Sequence, residues 1–183
     1  MNKKNFVILL ILVVIILLVA GLTYFIRSES IKEAQNEAKK TLFSTDVEAQ
    51  FLDAGNNPLS LSVYQDKILV VNVWASWSPY TAVEFPILNE VASSYKDKGV
   101  HFLVMNRKEN QSQIERYLAT IPRYDNLEQI TDVNDFFYAG VDGYAMPETV
   151  IYDANGKIIR HIRGVVVRAE LEAILNEILA EQN

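Results

Sequence analysis

Hydrophobic and polar positions divide the chain into two unlike parts. Residues 6–26 (FVILLILVVIILLVAGLTYFI) form one uncharged run. At ~1.5 Å per residue, a helix of that length covers the ~30 Å hydrocarbon core of a bilayer. Lys3 and Lys4 precede it, as in a secretory signal, yet the run exceeds the ~7–15 apolar residues of a cleavable one, and Leu18-Val19-Ala20 is a poor cleavage site. An uncleaved transmembrane anchor over 6–26, with a cytoplasmic tail at 1–5, is therefore favoured over a cleaved signal. Arg27, Lys32, Lys39 and Lys40 follow the span closely and compete with Lys3 and Lys4, so charge alone does not orient it. Residues 27–45 read as a stalk or linker. Within them 28–43 is polar and rich in helix formers, and Ser30-x-x-Glu33 has capping-box spacing. A helical stalk and a disordered linker fit equally.

From residue 46 to 183 short apolar runs alternate with turn signals, as in one domain of about 140 residues. A possible strand near 49–53 meets the turn Gly55-Asn56-Asn57-Pro58, with a short segment near 59–63. ILVVNVW (68–74) is a β-branched run of the kind buried on both faces of a parallel sheet. Phe85, Leu88, Val91, Ala92 and Tyr95 then recur at helical spacing, predicting a helix from about 79 to 96 that Lys98-Gly99 ends. VHFLVMN (100–106) is a second buried strand, and 110–120 an amphipathic helix with Ile114, Tyr117 and Leu118 on one face. A weak strand at 126–131 and a short helix at 132–139 follow. ETVIYD (148–153), the Ala154-Asn155-Gly156 turn and KIIRHIR (157–163) make a hairpin, and a helix over 168–181 buries Leu171, Ile174, Leu175, Ile178 and Leu179. A parallel start closed by an antiparallel hairpin predicts an α/β fold: a mixed sheet flanked by helices, in the thioredoxin-like topology.

Composition narrows the chemistry. There is no cysteine, which excludes disulfides, thiolate nucleophiles, thioether haem attachment, cysteine-ligated metal and a lipidated N-terminal cysteine. With only His101 and His161, a histidine metal site is also poorly supplied; no metal and no cofactor are expected. All 23 acidic residues follow the apolar block, against 15 basic ones, a formal −8. That opposes nucleic-acid binding, which needs a basic stripe.

Two segments carry a family resemblance: VVNVWASWSPYTAVEFP (70–86) and GVDGYAMPETVIYDANGKII (140–159). They resemble the TlpA/ResA-like, redoxin-type branch of the thioredoxin superfamily, over roughly residues 46–181. In that family a strand runs into W-A-x-W-C-x-x-C and a Glu-Phe/Met-Pro step, with a later Gly-x-x-x-x-Pro segment and an Asp…Gly-Lys turn. Trp74, Ala75, Trp77, Pro79, Glu84, Pro86, Pro147, Asp153, Gly156 and Lys157 match. The redox cysteines, however, would fall on Ser78 and Thr81, and hydroxyls can neither form nor attack a disulfide usefully. Dithiol exchange and cysteine peroxidase chemistry are excluded on this ground.

The resemblance implies an extracytoplasmic (periplasmic-side) domain on the cell membrane and a cis-proline at Met146-Pro147. It also implies a loop there that presents backbone groups to an extended peptide. Trp77, Pro79, Tyr80, Glu84, Tyr144, Met146 and Pro147 are the expected binding residues; Trp74 and Trp77 could alternatively be packed. Ser78 is read as a helix N-cap with Pro79 at the first helical position. His101 opens its strand, at the far end of the sheet, and His161, between Arg160 and Arg163, reads as a surface residue. Glu84 is a remnant, a solvated helix residue or a partner contact. Pro86 is expected to kink its helix.

Seven acids lie between Arg123 and Lys157 (Asp125, Glu128, Asp132, Asp135, Asp142, Glu148, Asp153) without EF-hand spacing, and are read as a solvated face. The expected function is a binding or scaffolding module that holds an extended segment of an envelope protein in the cis-proline groove. Two alternatives stand beside it: a non-thiol enzyme centred on Ser78, Tyr80 and Glu84, and a structural subunit docking through its acidic face.

Overall fold

The structure, a computed structural model, describes residue 5, residues 13–27 and residues 51–181. The chain divides into two units, 1–38 and 39–183. In the first, residues 13–27 are helical. Among the described residues no helix is long and apolar enough to cross a membrane. The expected span 6–26 is described in full only from residue 13, and the expected stalk beyond Arg27 lies outside the described residues.

The second unit is built on a seven-stranded sheet. Its strands are β1 (Phe51–Asp53), β2 (Pro58–Leu59), β3 (Ile68–Trp74), β4 (Val100–Arg107), β5 (Glu128–Asp132), β6 (Glu148–Tyr152) and β7 (Ile158–Arg163), in the order β2-β1-β5-β4-β3-β6-β7. β3, β4 and β5 run parallel, while β1 on one side and β6 and β7 on the other are antiparallel to their neighbours. The helices are α1 (Thr81–Tyr95), α2 (Gln111–Leu118), α3 (Phe136–Gly140) and α4 (Arg168–Glu181). This is the expected thioredoxin-like mixed sheet.

β3 is central, and all seven of its residues are buried. Alternation sends them to two cores. Ile68, Val70 and Trp74 join Phe85, Leu88 and Val91 of α1 and Leu171, Ile174 and Leu175 of α4 on one face. Leu69, Val71 and Val73 join Phe51, Leu61, Tyr64 and the α3 residues Phe137 and Tyr138 on the other. Asn72 shares the first face, so β3 offers a polar group beneath α1. The hairpin turn forms as its residues dictate: Asp153 Oδ1 accepts from the amides of Asn155 and Lys157, both at 2.9 Å, and Gly156 adopts φ 73°.

Candidate functional site

Strand register brings the two motif segments together. Val73 lies opposite Glu148 in the β3–β6 ladder, so the chain leaving β3 passes beside the chain entering β6. The chain leaving β3 is held by Glu109, a buried carboxylate after β4. It accepts from the Ser76 amide (2.7 Å), the Ser76 hydroxyl (2.5 Å) and Asn106 Nδ2 (2.7 Å). Thr81 Oγ1, fully enclosed, donates back to the Ala75 carbonyl at 3.1 Å.

These anchors displace the expected helix start. α1 begins at Thr81, with Tyr80 in the cap position and no side-chain cap bond; the Tyr80 carbonyl receives the amides of Val83 and Glu84. Ser78 is therefore not the N-cap. Its amide closes a turn on the Ala75 carbonyl at 3.1 Å, and its hydroxyl points inward, 3% exposed and without a hydrogen-bond partner. Among the described residues no base hydrogen-bonds to it, as nucleophilic activation requires. His101 lies at the far end, opposite Leu69, whereas Trp74 pairs with Asn106 at the near end.

Glu84 is fully buried, which corrects its reading as a solvated residue or partner contact. Its Oε2 accepts from Asn72 Nδ2 at 2.8 Å and its Oε1 from the Val166 amide at 2.7 Å. Burial pushes its pKa up to about 7, against the opposing pull of the Val166 and Asn72 hydrogen bonds.

On the other segment Met146-Pro147 is a cis peptide, as expected. Pro147 and Glu148 are buried, Met146 is half-buried, and Tyr144 stands 78% exposed. Beneath this loop lies a pair that local sequence did not disclose. Glu148 Oε1 accepts from the amides of Tyr144 (2.7 Å) and Ala145 (2.5 Å), and Oε2 meets His161 Nε2 at 2.5 Å. His161 is thus not a surface residue: across the β6–β7 ladder it packs beside this carboxylate, its side chain only 13% exposed. Tyr138 adds a further brace, its hydroxyl donating to the Ala145 carbonyl at 2.8 Å. The local hint of the pair was a charged residue, Glu148, opening a buried strand.

What remains at the surface is largely apolar and aromatic. Trp77 is 65% exposed and Tyr80 51%, both beside exposed Pro79, while Trp74 is fully buried. The packed reading therefore holds for Trp74 and fails for Trp77. The acidic stretch is a solvated face only in part. Asp132, Asp135 and Glu148 are buried; Asp132 accepts from the amides of Phe136 and Phe137, Asp135 is bidentate with Arg107, and Tyr64 donates to Glu128. Three of the seven acids are internal braces, while Asp125, Glu128 and Asp142 remain exposed. Among the described residues no cluster of three or more acids and histidines could hold a metal ion.

The fold and sequence have recognisable relatives. The chain is 25% identical over 159 residues to the thiol-disulfide oxidoreductase ResA of Bacillus thuringiensis subsp. konkukian, covering 85% of this chain and 83% of that protein. It is 31% identical over 124 residues to the thiol:disulfide interchange protein DsbE of Vibrio cholerae, covering 66% and 65%. In structure it resembles the pneumococcal exposed lipoprotein thioredoxin Etrx1 of Streptococcus pneumoniae, with TM-score 0.63 and 18% identity, over 72% of this chain and 99% of that one. It also resembles a secreted Mycobacterium tuberculosis disulfide oxidoreductase, with TM-score 0.60 and 19% identity, over 77% and 98%. The redoxin family model matches residues 34–177, and with the thioredoxin-like sheet described above this chain belongs to the redoxin family.

Proposed function

We propose that this chain is a redox-inactive redoxin that binds an extended segment of an envelope protein across the groove between the Trp77–Tyr80 loop and the cis-proline loop. The absence of cysteine removes the thiolate that exchange requires. One observation carries the binding reading: Trp77 and Tyr80 on the chain leaving β3, and Tyr144 just before cis Met146-Pro147 on the chain entering the adjacent β6, are exposed, while Glu109, Glu148 and Glu84 are buried and already bonded. Exposed aromatic side chains over a rigid polar base suit recognition rather than chemistry.

The enzyme alternative loses its parts. Ser78 is buried without a base and Glu84 is enclosed. Docking through the acidic stretch is left with Asp125, Glu128 and Asp142, since Asp132, Asp135 and Glu148 are buried and bonded within the fold.

Membrane attachment through residues 6–26, with the domain on the extracytoplasmic side, completes the proposal. It is supported by the apolar run and by the location that the family resemblance of the two motif segments implies. Proteolysis of spheroplasts tests the side: the domain should be cleaved from outside, and a protected domain would overturn the placement. For the groove, Tyr80→Ala with Met146→Ala in the full-length protein should cut co-purification of its partner about tenfold or more. Undiminished recovery with an intact fold would refute it.

A further inference from the structure

The groove also carries a charge signature, and reading it rests on the groove being a binding site. Arg163 closes β7 and lies opposite Glu148 in the ladder. The Gly164 amide, next in the chain, donates to the Pro147 carbonyl at 2.9 Å, so the end of β7 is tied to the cis-proline loop. The Arg163 guanidinium carbon lies over the Tyr144 ring, 4.7 Å from its centroid. β7 is the last strand of the sheet and Arg163 is exposed.

The buried carboxylates of the two motif segments are already bonded within the fold. Glu148 uses one oxygen on Tyr144 and Ala145 and the other on His161. Glu84 is committed to Asn72 and Val166, and Glu109 to Ser76 and Asn106. Asp142, exposed in the same loop, makes no ion pair with it, and among the described residues Arg163 enters none. Arg163 is thus an exposed cation without an ion-pair partner among the described residues, in a polar portion with 23 acids against 15 bases. An exposed guanidinium lying over an aromatic ring keeps N–H groups that can grip a carboxylate with two parallel bonds.

We propose that the segment taken by this groove is acidic, with a side-chain carboxylate received by Arg163 while apolar neighbours cover Tyr144, Tyr80 and Trp77. Arg163 then selects the partner and Tyr144 holds Arg163 in position.

The test uses the full-length protein in detergent and ten-residue peptides amidated at the C-terminus. Each has alternating tyrosine and proline, with glutamate, glutamine or lysine at the remaining positions. Binding is read from Trp77 emission. The glutamate peptide should bind at least about tenfold more tightly than its glutamine and lysine counterparts, with a margin that shrinks in high salt. Arg163→Gln should abolish the margin, and Arg163→Lys should keep only part of it, since an ammonium cannot fork a carboxylate. Equal affinity for the glutamate and glutamine peptides overturns the acidic partner but leaves the groove standing. So does a margin that survives Arg163→Gln, or one that appears only with free C-termini. No binding by any peptide up to millimolar concentration overturns the groove reading and this inference together.

Discussion

The Val166 amide donates to Glu84 Oε1 at 2.7 Å, and this bond ties α1 to the segment entering α4, 82 residues further along the chain. The carboxyl it meets is fully buried, with a pKa raised from 4.5 to about 7 by burial. A carboxyl whose pKa is raised on folding binds its proton more tightly in the native state. Its contribution is intact below about pH 4.5, falls as pH rises towards 7 and stays lost above. The shift corresponds to about 3 kcal/mol. Urea denaturation of the wild type should show that decline between pH 5 and pH 8, and Glu84→Gln should flatten it. An identical pH slope in both proteins would contradict the assignment.

Glu148 is expected to govern the order of the cis-proline loop. Glu148→Ala removes both acceptor oxygens, leaving the amides of Tyr144 and Ala145 and the His161 ring nitrogen unpaired at a cost of about 2 kcal/mol. The amides of Tyr144 and Ala145 should then exchange hydrogen markedly faster than in the wild type. Unaltered exchange at those two amides would mean the loop is held by other contacts.

Gly143 permits a close approach that no side chain can share. A Cβ there would lie 2.4 Å from Cε2 of Tyr138, whose ring is buried and stacked under the Arg107 guanidinium at 3.8 Å. Gly143→Ala should therefore destabilise the domain by about 1–3 kcal/mol, read as a lowered Tm. A neutral Ala variant would show that Tyr138 is free to move.

The scaffold was legible where local pattern decides structure. The β-branched run at 68–74, the strand at 100–106 and the Asn155-Gly156 turn lie where their residue types put them. What escaped was long-range. Ser78-Pro79 has the chemistry of a helix start, but Glu109 holds Ser76 from 33 positions away and α1 begins at Thr81. Arg160 and Arg163 made His161 look exposed, whereas the β6–β7 ladder sets it against Glu148. Glu84 did leave a trace: it sits one turn before Leu88 on the buried stripe of α1, a position that solvated residues avoid.

Restoring the missing thiols tests the loop geometry. Thr81 follows Ser78 by one turn, with its amide 3.4 Å from the Ser78 carbonyl. Ser78→Cys with Thr81→Cys should form a reducible disulfide on mild oxidation, seen by thiol counting before and after reductant. Two persistently free thiols would mean that these side chains do not face each other.

The central claim is that the groove over the cis-proline loop works as a binding surface without sulfur chemistry. A photo-crosslinking residue at Tyr80, in the full-length protein in its own membrane, tests it most directly. The account predicts one discrete adduct, mapped to an extended segment of an envelope protein and lost when Tyr144→Ala is added. No adduct at position 80, with efficient capture from a probe at Asp125 or Asp142, would contradict it and move the binding surface to the acidic stretch.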